Sequence, residues 1–418
     1  MDPNTVPVRR NIWLYYAFSF LAQFLLWAAV WIKYLIDDRG LELKWILAMD
    51  FPFWILVAVL QAPTGAFADH VGRRKVLALS GLLYAITILG FGLTTNYVSL
   101  FFVYVLWAFA MSMQMGADQA LIYDTLKLAG REDRFKRVAG NGFAIGMFAA
   151  LLGVGFGGVV AHYTSLVFTV QISALFPLLS IAAALAFWEP PVRAKEQRHY
   201  WRDLRAALDF SWHVPQVRYT LLVGAVLMTG TFGPVVLVQP FLLDFDVSDI
   251  LFGWVQTPLR LVAVGGSVVA FMVGRRLGMP RVLLAGSALI FASYVGLALV
   301  GAAWAFAFFA LPALVQGIAS PLLSNHLNER IPSDKRATVL SVMQLAFALQ
   351  VAFFEPALGF LADGIALRWA FVFAAAYFVV LVPPLLFLWR RSHAVAFAAP
   401  GPAESSALNP APADAAGG

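Results

Sequence analysis

Three ionisable residues interrupt long apolar runs of this sequence, where chemistry explains them better than packing does. Asp50 lies about five residues into its run, Glu355 precedes Pro356, and Arg260 lies roughly 16 Å along a helix from the start of its run. An ionised side chain in hydrocarbon costs several kcal/mol unless it is paired or hydrated, so such residues are functional candidates. We expect Asp50 and Glu355 to bind and release protons, and Arg260 to hold an anionic substrate or to switch one of the acids.

Each of the three residues also has a simpler interpretation. Asp50 lies close enough to the end of its run to reach water, and Glu355 could make a gating contact with Lys33 or Arg39. Arg260 could be one half of a buried ion pair with a carboxylate. The sequence leaves these alternatives open.

Aromatic rings and amide groups recur at helical spacing in several other apolar runs. Residues three, four or seven positions apart share one face of a helix. Such stripes predict a large, mostly apolar cavity with a few hydrogen-bonding points, which is typical of sites for amphipathic small molecules. Ordinary helix packing is the alternative for each residue. The candidates are Tyr16, Gln23, Trp27, Tyr104, Trp107, Met111, Gln114, Gln239 and Gln316.

The composition indicates what kind of structure must position these residues. Of the 418 residues, 61% are hydrophobic and 12% are charged, which leaves too little polar surface to keep so long a chain in water. The chain has no cysteine, which excludes disulfides, thiolate metal sites and cysteine nucleophiles. The six histidines are scattered, and no hydrolase or phosphate-loop motif occurs. We therefore expect no cofactor, no metal and no enzyme activity.

The elements themselves are apolar runs of about twenty residues, the length that crosses a hydrocarbon core of about 30 Å. Six runs precede a polar stretch from Glu189 to Arg218 and six follow it. This pattern predicts an all-α membrane protein with twelve transmembrane helices in two halves, residues 1–188 and 219–391. Residues 189–218 are expected to form a cytoplasmic linker with a short surface helix, and residues 392–418 a disordered tail. The runs lie roughly at 12–32, 45–67, 76–95, 98–123, 138–161, 166–188, 219–242, 249–273, 281–300, 302–326, 337–361 and 367–389.

Basic residues orient the helices, because lysine and arginine accumulate in short cytoplasmic loops. With the N-terminus inside, 24 of the 29 lysines and arginines fall in cytoplasmic segments and only 4 in outer ones. The sequence therefore predicts a multi-pass protein of the cell (inner) membrane with both termini in the cytoplasm. The same distribution explains the net charge of +6 and argues against a nucleic-acid partner.

The loop between the second and third runs carries the sharpest motif of the chain. Residues 65–77 read G-A-F-A-D-H-V-G-R-R-K-V-L, which resembles the loop signature G-x-L-a-D-x-x-G-R-[RK]-x-x-L of the major facilitator superfamily, with Phe67 in place of the usual leucine. The resemblance covers residues 1–391 and implies two six-helix halves related by a pseudo-two-fold axis, with the substrate between them. It also implies that spans two and eleven face each other, so that Asp50 and Glu355 lie close together.

The resemblance gives this motif a conformational role. Arg73 offers a planar fork for a carboxylate, and Asp69 offers an anion for a helix N-terminus. In the superfamily such residues look like a latch that holds the cytoplasmic ends of the halves together in the outward-open state. Asp118 and Asp124 are expected to pair with Arg73 or with the basic cluster at 134–137, and a proton-carrying role is the alternative. The set is Gly65, Asp69, Gly72, Arg73, Arg74, Asp118 and Asp124.

Glycines in the fifth run bear on the direction of transport. Gly140, Gly153 and Gly158 match the pattern G-x8-G-x3-G-P-x3-G of antiporters in the superfamily, whereas Ala149 and Val154 depart from it. Close helix packing is the alternative explanation for the glycines. The antiporter pattern is therefore only partly present.

These features favour secondary active transport. We expect the chain to export a small amphipathic molecule in exchange for protons, by alternating access to a central cavity. A proton-coupled importer or a facilitator of a small organic solute is the alternative. The expected partners are the small-molecule substrate, protons and the lipid bilayer, and we expect a monomer.

Overall fold

The computed structural model describes residues 6–191, 200–331 and 336–398, and within these ranges it is a bundle of long helices without strands. Eleven helical stretches of the described residues are long and apolar enough to cross a membrane. The expected all-α membrane fold is confirmed. The helices are α1 Val8–Gln23, α2 Trp31–Lys33, α3 Leu43–Ala48, α4 Asp50–Val71, α5 Arg73–Leu93, α6 Tyr97–Gln114, α7 Ala117–Leu128, α8 Phe135–Tyr163, α9 Leu166–Ser173, α10 Leu175–Ala186, α11 Tyr200–His213, α12 Pro215–Leu243, α13 Asp249–Leu277, α14 Met279–Leu299, α15 Ala310–Asn328, α16 Arg336–Gly364 and α17 Leu367–Ala398.

The first predicted span is present but broken. After α1 the chain passes through the 3-10 turn Leu26–Ala29 and the short α2. With 16 residues, α1 alone is shorter than the roughly twenty residues that cross the hydrocarbon core. Eleven long stretches and one broken helix are consistent with the twelve predicted spans.

Glycines of α8 fit against this break and against α13. A Cβ atom on Gly153 would lie 2.8 Å from the backbone nitrogen of Leu25, just after the end of α1. A Cβ atom on Gly158 would lie 2.3 Å from the carbonyl oxygen of Asp249 at the start of α13. Close backbone packing therefore accounts for these two glycines. This is the explanation that the sequence offered as the alternative to the antiporter pattern.

Helices α1 to α10 are called the first half and α12 to α17 the second half, and the main contacts between them are α8 with α13 and α16 with both α3 and α4. The end of the bundle that carries the 65–75 loop and α11 is called the basic end. The end that carries the loop between α12 and α13 is called the opposite end.

Two glycines with positive φ show how the halves correspond. Gly72, at φ 104°, separates α4 from α5, and Gly278, at φ 74°, separates α13 from α14. The G-R-R tripeptides at 72–74 and 274–276 would instead match Gly72 with Gly274, but Gly274 lies inside α13. Gly72 of the first half therefore corresponds in position to Gly278 of the second half. At both turns a side chain would strain the backbone.

The linker contains the expected helix, whereas part of the expected disordered tail is helical. The predicted surface helix is present as α11, and its Phe210 packs against a cluster of the second half that contains Val217 and Leu327. Helix α17 continues to Ala398, so residues 392–398, which the sequence assigned to a disordered tail, are helical. Residues 192–199 and 399–418 lie outside the described residues.

Candidate functional site

Asp50 and Glu355 form a buried pair of carboxyl groups across the boundary between the halves. Asp50 begins α4 and Glu355 lies nine residues before the end of α16, and they are 6% and 1% exposed. Their carboxyl groups lie within hydrogen-bonding distance of each other. Among the described residues, no donor reaches Asp50 Oδ2 or Glu355 Oε1. One shared proton would satisfy both oxygens, because two adjacent carboxylates repel each other strongly in a medium of low dielectric constant.

The simpler interpretations of these two acids do not fit the structure. Asp50 is buried and does not reach water. Lys33 Nζ lies 2.8 Å from Asp249 Oδ1 instead of contacting Glu355. Arg39 donates hydrogen bonds to a tyrosine hydroxyl and a backbone carbonyl of its own half. Neither base therefore forms the gating contact with Glu355.

Trp54 joins the carboxyl pair to a central cavity. Its Nε1 donates to Glu355 Oε2 at 3.2 Å, and its ring packs edge-on against Phe232 and Phe347 with 5.6 Å between ring centroids in both cases. All three aromatic side chains line the cavity. A ligand in the cavity would therefore contact the residue that hydrogen-bonds one of the acids. Sequence reasoning missed Trp54, although it follows Asp50 by one helical turn on the same face of α4.

The cavity lies between the halves and has a volume of about 220 Å³. Its walls belong to α4, α6, α12, α15 and α16, and it extends from Trp54 toward the basic end. Methionine, aromatic and aliphatic side chains form most of the wall. Such a lining suits a ligand with both apolar surface and hydrogen-bonding groups. The polar lining residues are Gln61, Thr231, Gln316, Ser320 and Gln344.

Of the nine predicted cavity residues, Met111 and Gln316 line this cavity and the other seven do not. Trp27 and Tyr104 are 3% and 0% exposed, and both pack against Trp107 with ring centroids 5.4 and 5.6 Å away. Helix packing, the alternative left open by the sequence, accounts for these three aromatic residues. The remaining residues outside the cavity wall are Tyr16, Gln23, Gln114 and Gln239.

Gln239 has a different role from the one expected of it. Its side chain is buried, and its Oε1 accepts a hydrogen bond from the backbone N–H of Ile32 at 3.0 Å. Its Nε2 donates to the carbonyl oxygen of Ala28 at 3.1 Å. Gln239 therefore fastens α12 to the backbone of the broken first span and has no free group for a ligand in this conformation.

Arg260 lies on α13 without an acidic partner among the described residues. Gln256, one turn away, donates from Nε2 to the carbonyl oxygen of Ala29 in the first half at 3.1 Å. Residues four positions apart share a helix face, so Arg260 also lies toward the boundary between the halves. The buried ion pair considered for Arg260 is not formed within the described part of the chain.

The 65–75 loop makes its ion pairs and hydrogen bonds within the first half. Arg73 pairs with Asp124 on α7 and, at 3.2 Å, with Asp69. The carboxylate of Glu189 accepts from the backbone N–H groups of Arg73 and Arg74 at 2.9 and 2.7 Å. The acid at this helix N-terminus is therefore Glu189 and not Asp69, whose side chain is 56% exposed. Sequence reasoning missed Glu189 because it is distant along the chain.

Asp118 and Asp124 differ in environment although both lie on α7. Asp124 pairs with Arg73, as expected. Asp118 follows the break at Gly116, where φ is 82°, and accepts a hydrogen bond from the N–H of Gln119 at 2.7 Å. No described basic residue forms an ion pair with Asp118. The expected partnership is thus wrong for Asp118, and a proton-carrying role there stays a prediction.

Hydrogen bonds and ion pairs between the halves lie toward the opposite end. Besides the contacts of Gln239, Gln256 and Trp54, the pair Lys33 with Asp249 joins the halves there. Asp363 Oδ2, near the end of α16, accepts from the backbone N–H of Lys44 at 2.7 Å. Among the described residues, no hydrogen bond or ion pair joins the two halves at the basic end.

Comparison with protein families gives one match. A family model described as Major Facilitator Superfamily matches residues 12–355. No curated protein matches the chain.

Solved structures share the fold at low sequence identity. A variant of the nucleoside transporter NupG has a TM-score of 0.76 at 16% identity and covers 91% of this chain and 99% of its own. A bacterial homologue of the human lysosomal transporter Spinster, in an inward-facing and occupied conformation, has a TM-score of 0.73 at 15% identity over 92% of this chain and 96% of its own. A D-xylose-proton symporter has a TM-score of 0.70 at 12% identity over 91% and 97%. At these identities the likeness shows the fold alone.

Proposed function

The chain belongs to the major facilitator superfamily and is therefore a multi-pass membrane transporter of small solutes, and we propose that it exports a small amphipathic molecule in exchange for protons. The observation that carries the proposal is the buried carboxyl pair Asp50 and Glu355, which is hydrogen-bonded through Trp54 to the wall of the cavity. A proton bound at this pair and a substrate bound in the cavity thus act on one connected set of side chains.

The basic end is assigned to the cytoplasm, because 24 of the 29 lysines and arginines then lie in cytoplasmic segments. Both termini would be cytoplasmic, in the cell membrane. On this assignment the halves are joined at the outer end and the cavity extends toward the cytoplasm.

Coupling follows from where the carboxyl pair lies. Asp50 is on α4 and Glu355 is on α16, so the two acids meet only when the halves meet at the opposite end. When they meet, they share a proton, and when that end opens, each acid enters water and ionises. Binding of a proton therefore favours closure of the opposite end, and release of a proton favours its opening.

The cavity supports the substrate class. Its volume of about 220 Å³ fits one small molecule, and apolar side chains alternate with amide and hydroxyl groups around it. Arg260 lacks an acidic partner in the described residues but does not line this cavity, so it would hold the anionic group of a substrate only in another conformation.

A second candidate function is proton-coupled import of a small polar solute. The cavity wall carries five polar residues, and such hydrogen-bonding groups suit a polyhydroxylated or nucleoside-like solute. The fold likeness to a nucleoside transporter and a xylose-proton symporter is compatible with this alternative.

Reconstitution distinguishes the candidates through the sign of a pH change. Purified protein is placed in liposomes that contain a trapped pH dye, and single members of a panel of small amphipathic solutes are added outside. Antiport makes the lumen more alkaline as solute enters, because protons leave. Symport makes the lumen more acidic, and a facilitator leaves the lumen pH unchanged.

Glu355→Gln tests the assignment of the proton site in the same vesicles. We expect this variant to lose the pH change and to keep exchange of labelled solute, whereas Glu132→Gln, an exposed acid at the basic end, should behave as wild type. An undiminished pH change in Glu355→Gln would contradict the proposal.

A further inference from the structure

The linker helix α11 packs against the bundle with one side and exposes large apolar residues on another. Phe210 is partly buried and packs on the second half, and Ser211 is buried. Leu208 and Trp212, one turn apart, are 43% and 63% exposed. Because α12, a candidate membrane span, begins at Pro215 immediately after α11, we place this exposed apolar pair near the membrane boundary.

Arg218 supplies a cation at the same place. Its guanidinium carbon lies 5.2 Å from the ring centroid of Trp212 and 4.6 Å from that of Tyr219. Nη1 donates to the carbonyl oxygen of Trp212 at 3.2 Å and Nη2 to Tyr219 Oη at 2.9 Å, while Nε is buried without a partner. No described acid forms an ion pair with it. The aromatic rings therefore hold a guanidinium whose charge is not neutralised within the described chain.

A second cation lies on the same face of α11. Arg205 precedes Leu208 by three residues, is exposed, and lines a shallow depression together with Leu208, Asp209 and Trp212. The one acid in this depression, Asp209, has its carboxylate 3.2 Å from His213 Nδ1. The surface formed by Arg205, Leu208, Trp212 and Arg218, called the α11 surface, thus combines apolar side chains with two arginines.

We propose that the α11 surface lies in the headgroup layer of the bilayer and binds an anionic phospholipid. Arg218 and Arg205 bind its phosphate, since a guanidinium matches phosphate oxygens with paired N–H groups. Leu208 and Trp212 lie against the upper acyl region, where tryptophan is favoured. A soluble phosphate would satisfy the arginines but would leave the two apolar side chains in water. The inference depends on membrane embedding and is independent of the transport proposal.

The absence of cysteine in the chain allows a direct test. Ala206, exposed beside the depression, is replaced by cysteine and labelled with a fluorophore in the full-length protein, which is then placed in phosphatidylcholine nanodiscs. Nitroxide-labelled phosphatidylglycerol is added in increasing mole fraction. We expect saturable quenching at low mole fractions, and no such saturation with nitroxide-labelled phosphatidylcholine.

Charge-neutralising variants test the arginines. Each arginine near an anionic membrane surface contributes about 1 kcal/mol, so Arg218→Gln and Arg205→Gln should each raise the mole fraction for half-quenching about fivefold. Arg131→Gln, an exposed arginine elsewhere at the basic end, should leave it unchanged. Arg218→Lys, which keeps the charge but not the planar fork, should lie between Arg218→Gln and wild type.

Three outcomes would overturn the proposal. The first is equal quenching by the two labelled lipids, and the second is a loss in Arg131→Gln as large as in Arg218→Gln. The third is displacement of phosphatidylglycerol by millimolar inorganic phosphate, which would indicate a site for soluble anions. Arg205→Gln keeps the test decisive if Arg218→Gln fails to fold, because Arg205 is exposed.

Discussion

Glu355→Gln should make closure of the opposite end independent of pH while leaving that closure intact. In the closed form Glu355 accepts a hydrogen bond from Trp54 and lies beside Asp50, with which it would share a proton on our proposal. Glutamine keeps an acceptor for Trp54 and supplies an N–H donor to Asp50, so both contacts persist. It cannot, however, gain or lose a proton. The variant therefore mimics the protonated state of the pair.

The size of the effect follows from proton linkage. If the closed pair holds one proton that the separated acids lack near neutral pH, the ratio of closed to open molecules falls roughly tenfold for each unit by which the pH rises. Glu355→Gln should abolish this slope. Glu355→Ala, in contrast, leaves Trp54 Nε1 and Asp50 without partners, and each buried unsatisfied group costs about 1–3 kcal/mol. At the lower bound of about 2 kcal/mol for the two groups, closed molecules would become roughly 30-fold rarer relative to open ones.

Spin labels at the opposite end measure this ratio. Thr95 and Ser248 are exposed there, one on each half, and can be replaced by cysteine in the cysteine-free chain. The distance distribution between the two labels, recorded from pH 6 to 8 in liposomes, gives the closed fraction. Asp133→Asn, an exposed acid at the basic end, is the matched control and should keep the wild-type slope. A wild-type slope in Glu355→Gln would refute the reasoning and remove the carboxyl pair from the coupling mechanism.

The remaining predictions use the same background. A cysteine in place of Asp133 should react with an impermeant maleimide only in broken cells, whereas a cysteine in place of Ser248 should react in intact cells. The reverse pattern would place the basic end outside the cell. Arg73→Ala should impair transport but change the solute affinity in detergent less than tenfold, because the ion pairs of Arg73 lie far from the cavity. A larger change in affinity, with unaltered distances between the spin labels, would exclude a conformational role for Arg73. Gly158→Ala should disfavour closure of the opposite end by about 1–3 kcal/mol, since its Cβ would meet a backbone oxygen at 2.3 Å, whereas Gly140→Ala, in open space, should not change the label distances.

Much of the fold could be predicted because its signals are local. Runs of apolar residues near the length of a bilayer predict spans that agree with the helical stretches to within about five residues, except for the broken first span and the longer last helix. The motif at 65–77, combined with twelve spans in two sixes and the long central loop, indicates the family. The proximity of Asp50 and Glu355 could also be predicted, but only through the resemblance. Nothing in the residues around either acid indicates that spans two and eleven meet.

The cavity wall differs from the helical stripes, and two of the helices that carry the stripes break. The chain unwinds after α1 at Phe24, so Trp27 does not continue the face that carries Gln23. In the fourth span the positive φ of Gly116 resets the helix between Met111 and Asp118 in the same way. If helical spacing is counted across such a break, residues that lie on different faces in the structure are assigned to one face. The true wall uses α4 and α16, whose stripes the sequence did not single out.

The contacts that close the opposite end do not all respond to protons. The hydrogen bonds of Gln239 involve only amide and backbone groups, which keep their protons at every physiological pH. The ion pair of Lys33 with Asp249 is an attraction between groups of opposite charge. Two adjacent carboxyl groups differ from both, because the contact between Asp50 and Glu355 is attractive with one proton and repulsive with none. Opening of the opposite end can therefore be driven by proton loss at this pair, while the other contacts set how much repulsion is needed. Replacing Gln239 by alanine should accordingly displace the closed fraction toward the open form at every pH without changing its slope, whereas an altered slope would show that the pair does not act alone.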